Sequence, residues 1–159
     1  MPDGQEGELV LTTLQREGMP ILRYRTRDLT RMIKGTCRCG RTHRRIERIK
    51  GRSDDMFIVK GVNIFPSQIE TVLMEIPEVD ANFLVIVDRK NGLDELTVQV
   101  EIKREYFTGN LQQLRELQER ISAQLKNMII VTPRVELVEP GTIPPSTGKA
   151  KRVIDKRRL

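Results

Sequence analysis

Two stretches of the chain repeat apolar residues at helical spacing. Ile69, Val72, Leu73 and Ile76 fall at i, i+3, i+4 and i+7, which buries one face of a helix against a core. Pro66 and Ser67 open it, Ser67 and Glu70 have the spacing of a capping box, and Pro77 stops it. Leu111, Leu114, Leu117, Ile121, Leu125 and Met128 trace a second amphipathic helix. Strand patterns surround these helices. Residues 56–59 and 62–64 read as strands around Gly61, and residues 83–87 are apolar throughout, as in a central strand. After the Asn91-Gly92 turn, Leu96, Val98, Val100 and Ile102 alternate with Thr97, Gln99, Glu101 and Lys103, the signature of a half-buried antiparallel strand. Residues 134–138 alternate again.

From about residue 55 the order is therefore βαββαβ, an α+β sandwich of two helices on an antiparallel sheet. The first third differs. Residues 8–13, 21–25 and 31–34 read as short strands joined by turns, with too few apolar positions for a core of their own. Such a segment reads as the β-rich end of a larger domain lying upstream.

Composition narrows the chemistry. The chain has 159 residues, a hydrophobic fraction of 38% and a net charge of +6, so an anionic partner is expected. No apolar run approaches the roughly 20 residues of a bilayer span, and the N-terminus has no apolar signal core, so a cytoplasmic protein is expected. Its two cysteines, Cys37 and Cys39, form Cys-x-Cys-x-x-x-His with His43. A structural zinc site takes four ligands. These three would hold zinc only with a fourth supplied from elsewhere; otherwise they are two thiols and an imidazole in a turn. Gly148-Lys149 suggests a phosphate loop, but Ile143 stands where the first glycine is needed and Ala150 where the magnesium-binding hydroxyl is needed. Pro144 and Pro145 also remove two of the amides that would cradle phosphate. A P-loop is excluded.

Three stretches, taken in order, carry a more specific signal. They are Tyr24-Arg-Thr-Arg-Asp-Leu-Thr30, then Gly51-Arg-Ser-Asp-Asp-Met-Phe-Ile-Val-Lys-Gly61-Val-Asn-Ile-Phe-Pro66, then Pro144-Pro-Ser-Thr-Gly-Lys149. Together they resemble the late motifs of acyl-adenylate-forming enzymes. With Cys39-Gly-Arg-Thr-His43 ahead of Gly51, the similarity is to the phenylacetate–coenzyme A ligase branch. The resemblance covers nearly the whole chain. It implies the C-terminal portion of an acid–thiol ligase that makes an acyl-AMP from a carboxylic acid and ATP with Mg2+, then passes the acyl group to coenzyme A. Residues 1–51 would end the large N-terminal AMP-binding domain, residues 52–54 would be a hinge, and residues 55–159 a mobile C-terminal domain. The chain alone, without that large domain as partner, is not expected to complete the reaction.

The resemblance also implies roles. Asp28 would accept hydrogen bonds from both ribose hydroxyls, as a carboxylate can; without the family it reads as a turn former at a strand end. The wider superfamily usually has Gly where Arg27 stands, but the phenylacetate branch tolerates Arg there. Arg52 would support ribose or phosphate with a permanently charged, forked donor. Without the motif it is one more solvated charge behind Arg38, Arg41, Arg44, Arg45, Arg48 and Lys50. Asp54 would be the hinge. Lys60, Gly61 and Asn63 would belong to the loop that enters the site for thioester formation, where glycine also suits a tight turn. Lys149 would bring positive charge to the meeting of carboxylate and α-phosphate; otherwise it lies in a solvated tail.

Two readings of other classes compete. A basic βαββαβ module could sit on nucleic acid, but four phenylalanines, two tyrosines and no tryptophan give no stacking platform in the pattern. A stand-alone regulatory domain binding a small molecule would leave Asp28, Arg52 and Lys149 without a shared task.

Overall fold

The computed structural model describes residues 2–107, 109–144 and 152–157. The chain divides into two compact units, Met1–Met56 and Phe57–Leu159.

In the first unit, β1 (Glu6–Leu11) pairs antiparallel with β2 (Tyr24–Ile33), which also pairs with β3 (Arg45–Ile46) and β4 (Gly51–Arg52). The two short strands expected at 21–25 and 31–34 are thus parts of one ten-residue strand. Positive φ at Arg27 hides that continuity, because it breaks the period-two pattern midway. Thr30 is the one buried residue among those described in this unit, and its hydroxyl donates to Glu47 O at 2.8 Å. Leu14, Met19 and Leu22 are at least three-quarters exposed. The unit has no core of its own, as the sparse apolar pattern predicts.

The second unit holds β5 (Phe57–Val59), β6 (Val62–Ile64), α1 (Pro66–Met74), β7 (Val79–Lys90), β8 (Leu93–Ile102), α2 (Leu111–Ile129), β9 (Arg134–Val138) and β10 (Val153–Asp155). Its four-stranded sheet runs β10-β7-β8-β9. The centre is the antiparallel β7–β8 pair, closed by Asn91 and Gly92 at φ 51° and 78°, which is the two-residue turn that asparagine-glycine favours. β9 joins β8 in parallel and β10 joins β7 in parallel. The expected α+β unit of two helices on a sheet is present, with its antiparallel pairing at the centre and parallel pairing at both edges. Two further details depart from the sequence reading. β5 and β6 form a separate hairpin instead of entering the sheet. The vacant edge goes to β10, whose three residues carry no periodic signal.

The helices pack on the sheet through Ile69, Leu73, Ile121 and Leu125, all fully buried with Val85, Val87, Val98 and Val100. Each such side chain contributes about 1.5–3 kcal/mol of transfer free energy. On α2 the buried row ends at Ile129, while Met128 is 43% exposed. α1 is capped differently from the expectation. Its N-cap is Phe65, whose N–H donates to Gln68 Oε1 at 2.9 Å; Ser67 and Glu70 are not the box. Proline at the first helical position sets the cap at Phe65, two residues earlier than a Ser67 cap would.

Ile130 ends α2 in the left-handed region, φ 65°, donating its N–H to Lys126 O at 2.9 Å. A β-branched residue is costly there, by roughly 1–2 kcal/mol, and at 78% exposure its side chain returns little burial. Ile130→Gly is expected to stabilise the unit by about 1 kcal/mol after the extra chain entropy of glycine is counted. Thermal or urea unfolding checks this.

Glu101 is the buried charged residue of the sheet, 1% exposed. Its carboxylate accepts from Asn82 Nδ2 at 3.1 Å and from Ile143 N at 2.7 Å. It therefore fastens the end of β8 to the backbone that precedes residues 144–150.

Candidate functional site

The register of β2 against β4 sets Asp28 directly opposite Arg52. Arg52 Nη1 lies 3.9 Å from Asp28 Oδ1, while Nε and Nη2 donate to the two oxygens of Asp54 at 3.0 and 2.9 Å. Asp55 adds a further carboxylate 3.6 Å from Nε. The Arg52 hydrogen bond holds the Asp54 carboxyl below its ordinary range, and the Asp54 hydrogen bond raises Arg52. Two backbone contacts fix this corner: Ser53 N donates to Arg27 O at 2.7 Å and Asp28 N to Thr26 Oγ1 at 3.1 Å. Arg27 itself takes φ 68°, a conformation that suits glycine. Its N–H donates to Glu8 Oε1 at 3.2 Å, and Glu8 is paired with Arg25. The Arg25 hydrogen bond is also the main reason the Glu8 carboxyl sits below its usual value.

The corner thus presents one partly exposed carboxylate, Asp28, beside a guanidinium steered by a neighbouring aspartate. A carboxylate with two acceptor oxygens suits a vicinal diol, and a forked cation suits a phosphate or a second hydroxyl. Asp28, Arg52 and Asp54 are the predicted residues that the structure brings together in the first unit.

In the second unit, Lys60 and Gly61 form the turn of the β5–β6 hairpin, with φ 51° and 78°. Both central residues being left-handed is the two-residue turn whose twist matches its strands. Val59 and Ile64 are fully buried and anchor the hairpin, while Lys60, Gly61 and Asn63 face solvent. Asn63 stands opposite Ile58 on the outer face. These three predicted residues thus share one exposed turn. Lys149 lies outside the described residues.

Cys37, Cys39 and His43 do not gather as metal ligands. Among the described residues, no group of three or more His, Cys, Asp or Glu side chains is placed to hold a metal ion. Gly40 N donates to Cys37 O at 2.8 Å and Cys37 N to Arg41 O at 3.2 Å. This closes a tight turn, and His43 lies outside the cysteine pair. The Cys37 thiol titrates below its ordinary value, chiefly through the Cys39 backbone amide and then the Cys39 side chain, with Arg45 assisting. The pair reads as two thiols in a turn.

The profile of the family described as "AMP-binding enzyme C-terminal domain" matches residues 61–157. The chain belongs to that family. This AMP-binding C-terminal domain chain is 43% identical to the phenylacetate–coenzyme A ligase of Escherichia coli (strain K12) and 46% identical to that of Aromatoleum evansii. The alignments take in 100% and 99% of this chain and 36% of each relative's length. It also superposes on a crystal structure of 2-hydroxyisobutyryl-CoA ligase in the postadenylation state in complex with R3-HIB-AMP, with TM-score 0.84 and 34% identity. That match covers 98% of this chain and 33% of the other. The chain spans little more than a third of the curated relatives it matches. No helix among the described residues is long and apolar enough to cross a membrane.

The sequence reading missed Glu101, Asp94 and Arg157 as architectural charges. Glu101 sits in the polar phase of an alternating strand, where solvent is the ordinary neighbour. Arg157 stands in a basic run, and charge runs are ordinarily solvated.

Proposed function

We propose that this chain is the C-terminal portion of an ATP-dependent aryl or arylacetic acid–coenzyme A ligase of the phenylacetate type. In the first half-reaction a carboxylate oxygen of the acid attacks the α-phosphorus of ATP and pyrophosphate leaves, giving acyl-AMP. In the second, the coenzyme A sulfur attacks the acyl carbon and AMP leaves. Mg2+ enters with ATP as part of the substrate complex. The partners are these small molecules and the large N-terminal domain of the same enzyme, whose end is residues 1–51. The setting is the cytoplasm, where ATP and reduced coenzyme A are at hand.

The observation that carries this reading is the Asp28–Arg52 pairing across β2 and β4, with Arg52 steered by Asp54. Asp28 takes the ribose diol and Arg52 its neighbouring oxygens. Residues 52–54 are the hinge, and residues 55–159 move on it. Asp54 suits a hinge because its carboxylate grips Arg52, so a torsion change there moves or frees the guanidinium at the nucleotide. The Lys60–Gly61 turn with Asn63 serves thioester formation, and Lys149 serves adenylation. The family similarity and the identity to phenylacetate–coenzyme A ligases support the reading.

The test is product balance. Full-length protein given ATP, coenzyme A and phenylacetate, or a larger aryl acid, is expected to yield one AMP for each thioester. ADP as the nucleotide product, or no thioester with any aryl acid, would overturn it. Asp28→Ala is expected to raise the KM for ATP about tenfold or more, the loss of a charged hydrogen bond, with little change in the KM for the acid.

A further inference from the structure

Arg157 lies near the end of the described chain yet is only 14% exposed in its side chain. Its Nη1 donates to Ile58 O at 2.6 Å and to Asp94 Oδ2 at 3.1 Å. Nε and Nη2 donate to Asp155 at 3.0 and 2.6 Å. Asp94, 13% exposed, uses the same Oδ2 to accept from Lys60 N at 3.3 Å, while its Oδ1 accepts from Arg89 Nε at 2.9 Å. One network therefore joins the edge strand β10, the start of β8, the outer residue of β5 and the turn residue Lys60.

The need for such a network is physical. A two-stranded hairpin is marginal by itself, and β5–β6 is not paired into the four-stranded sheet. Buried Val59 and Ile64 fix its inner face, but they do not set the pitch of the turn beyond them. Lys60 also holds a left-handed conformation at φ 51° without being glycine, which is strained and persists when surroundings impose it. Asp94, by accepting the Lys60 N–H, is such a surrounding. Arg157 is suited to orient Asp94 because a planar fork reaches Asp94, Asp155 and a carbonyl together, which an ammonium does not.

We propose that Asp94 and Arg157 are positioning residues for thioester formation, holding the Lys60–Gly61 turn at the pitch that admits the thiol arm of coenzyme A. This rests on the reading of that turn as the thioester-side loop. Neither residue touches the reacting atoms.

The experiment uses the full-length protein and separates the half-reactions. Adenylation is read as acid-dependent ATP–pyrophosphate exchange, and thioester formation from supplied acyl-AMP and coenzyme A. Asp94→Ala and Arg157→Lys are expected to slow thioester formation by roughly tenfold to a hundredfold, the scale of a misplaced reactive geometry. Exchange should stay within about twofold of wild type, since an exchange loss would report general damage to the fold. Backbone amide hydrogen exchange at Lys60 and Gly61 should accelerate in both variants. Gly61→Leu is the reference. If it slows the thioester step while the other two variants do not, the positioning role is wrong and the loop reading stands. If Gly61→Leu leaves that step intact, the loop reading fails and the proposal with it. Equal losses in both half-reactions would mark the network as merely structural and overturn the proposal.

Discussion

Lys149→Ala in the full-length protein is expected to lower the rate of adenylation by roughly a thousandfold. The physical reason is the meeting of two anions, the substrate carboxylate and the α-phosphate. One positive charge about 4 Å from the developing charge is worth roughly 4 kcal/mol at an effective dielectric near 20, and each 1.4 kcal/mol or so is a factor of ten. The charge accelerates the step because it counts more in the transition state than with separated anions. Acyl-AMP supplied ready-made needs no such help, so its conversion to thioester should be little changed. Pyrophosphate exchange and single-turnover thioester formation, measured side by side, check the split. Lys149→Arg is expected to recover only part of the loss, because a planar guanidinium does not occupy the place of a compact ammonium.

Glu101→Ala is expected to destabilise the second unit by about 2–4 kcal/mol. The substitution leaves the buried Ile143 N–H without its 2.7 Å acceptor and Asn82 Nδ2 without its 3.1 Å acceptor. A buried group left unsatisfied costs roughly 1–3 kcal/mol, and the lost side-chain volume adds to this. Glu101→Gln is expected to cost about 1 kcal/mol or less. Its oxygen still accepts from Ile143, and the Asn82 amide turns over to meet the new NH2. Thermal unfolding of both variants checks the contrast, each kcal/mol moving the midpoint by roughly 4–8 °C in a unit of this size. Equal losses for Ala and Gln would mean that the negative charge itself, and not its acceptor geometry, is what the site requires.

The second unit was largely legible in the sequence because its apolar periods are long and clean. Ile69, Leu73, Ile121 and Leu125 occupy the buried faces that their spacing predicts. What escaped was whatever depends on tertiary neighbours. Glu101 continues the polar phase of Thr97 and Gln99, yet the chain at Ile143 covers it, and no local pattern announces that cover. β10 is three residues long in a basic segment, too short for a period to register. β5 and β6 were legible as strands but not as a hairpin apart from the sheet, because pairing partners are not written in alternation. In the first unit, Arg27 at φ 68° divided one strand into two apparent ones. The Asp28–Arg52–Asp54 corner was legible only through motif resemblance. Periodicity leaves Asp28 between two apparent strands and Arg52 in a basic stretch, and only the register of β2 against β4 sets them opposite each other. The Cys37, Cys39 and His43 spacing suggested a metal site completed by a fourth ligand from elsewhere, whereas among the described residues the three do not gather as ligands.

We propose that this chain works as the mobile end of an enzyme that forms an acyl-adenylate. The most direct measurement is ATP–pyrophosphate exchange by the full-length protein with phenylacetate present and coenzyme A absent. Exchange is expected to depend on the acid and not to require the thiol. Exchange that is absent for phenylacetate and for a panel of other carboxylic acids, in protein shown to bind ATP, would contradict it.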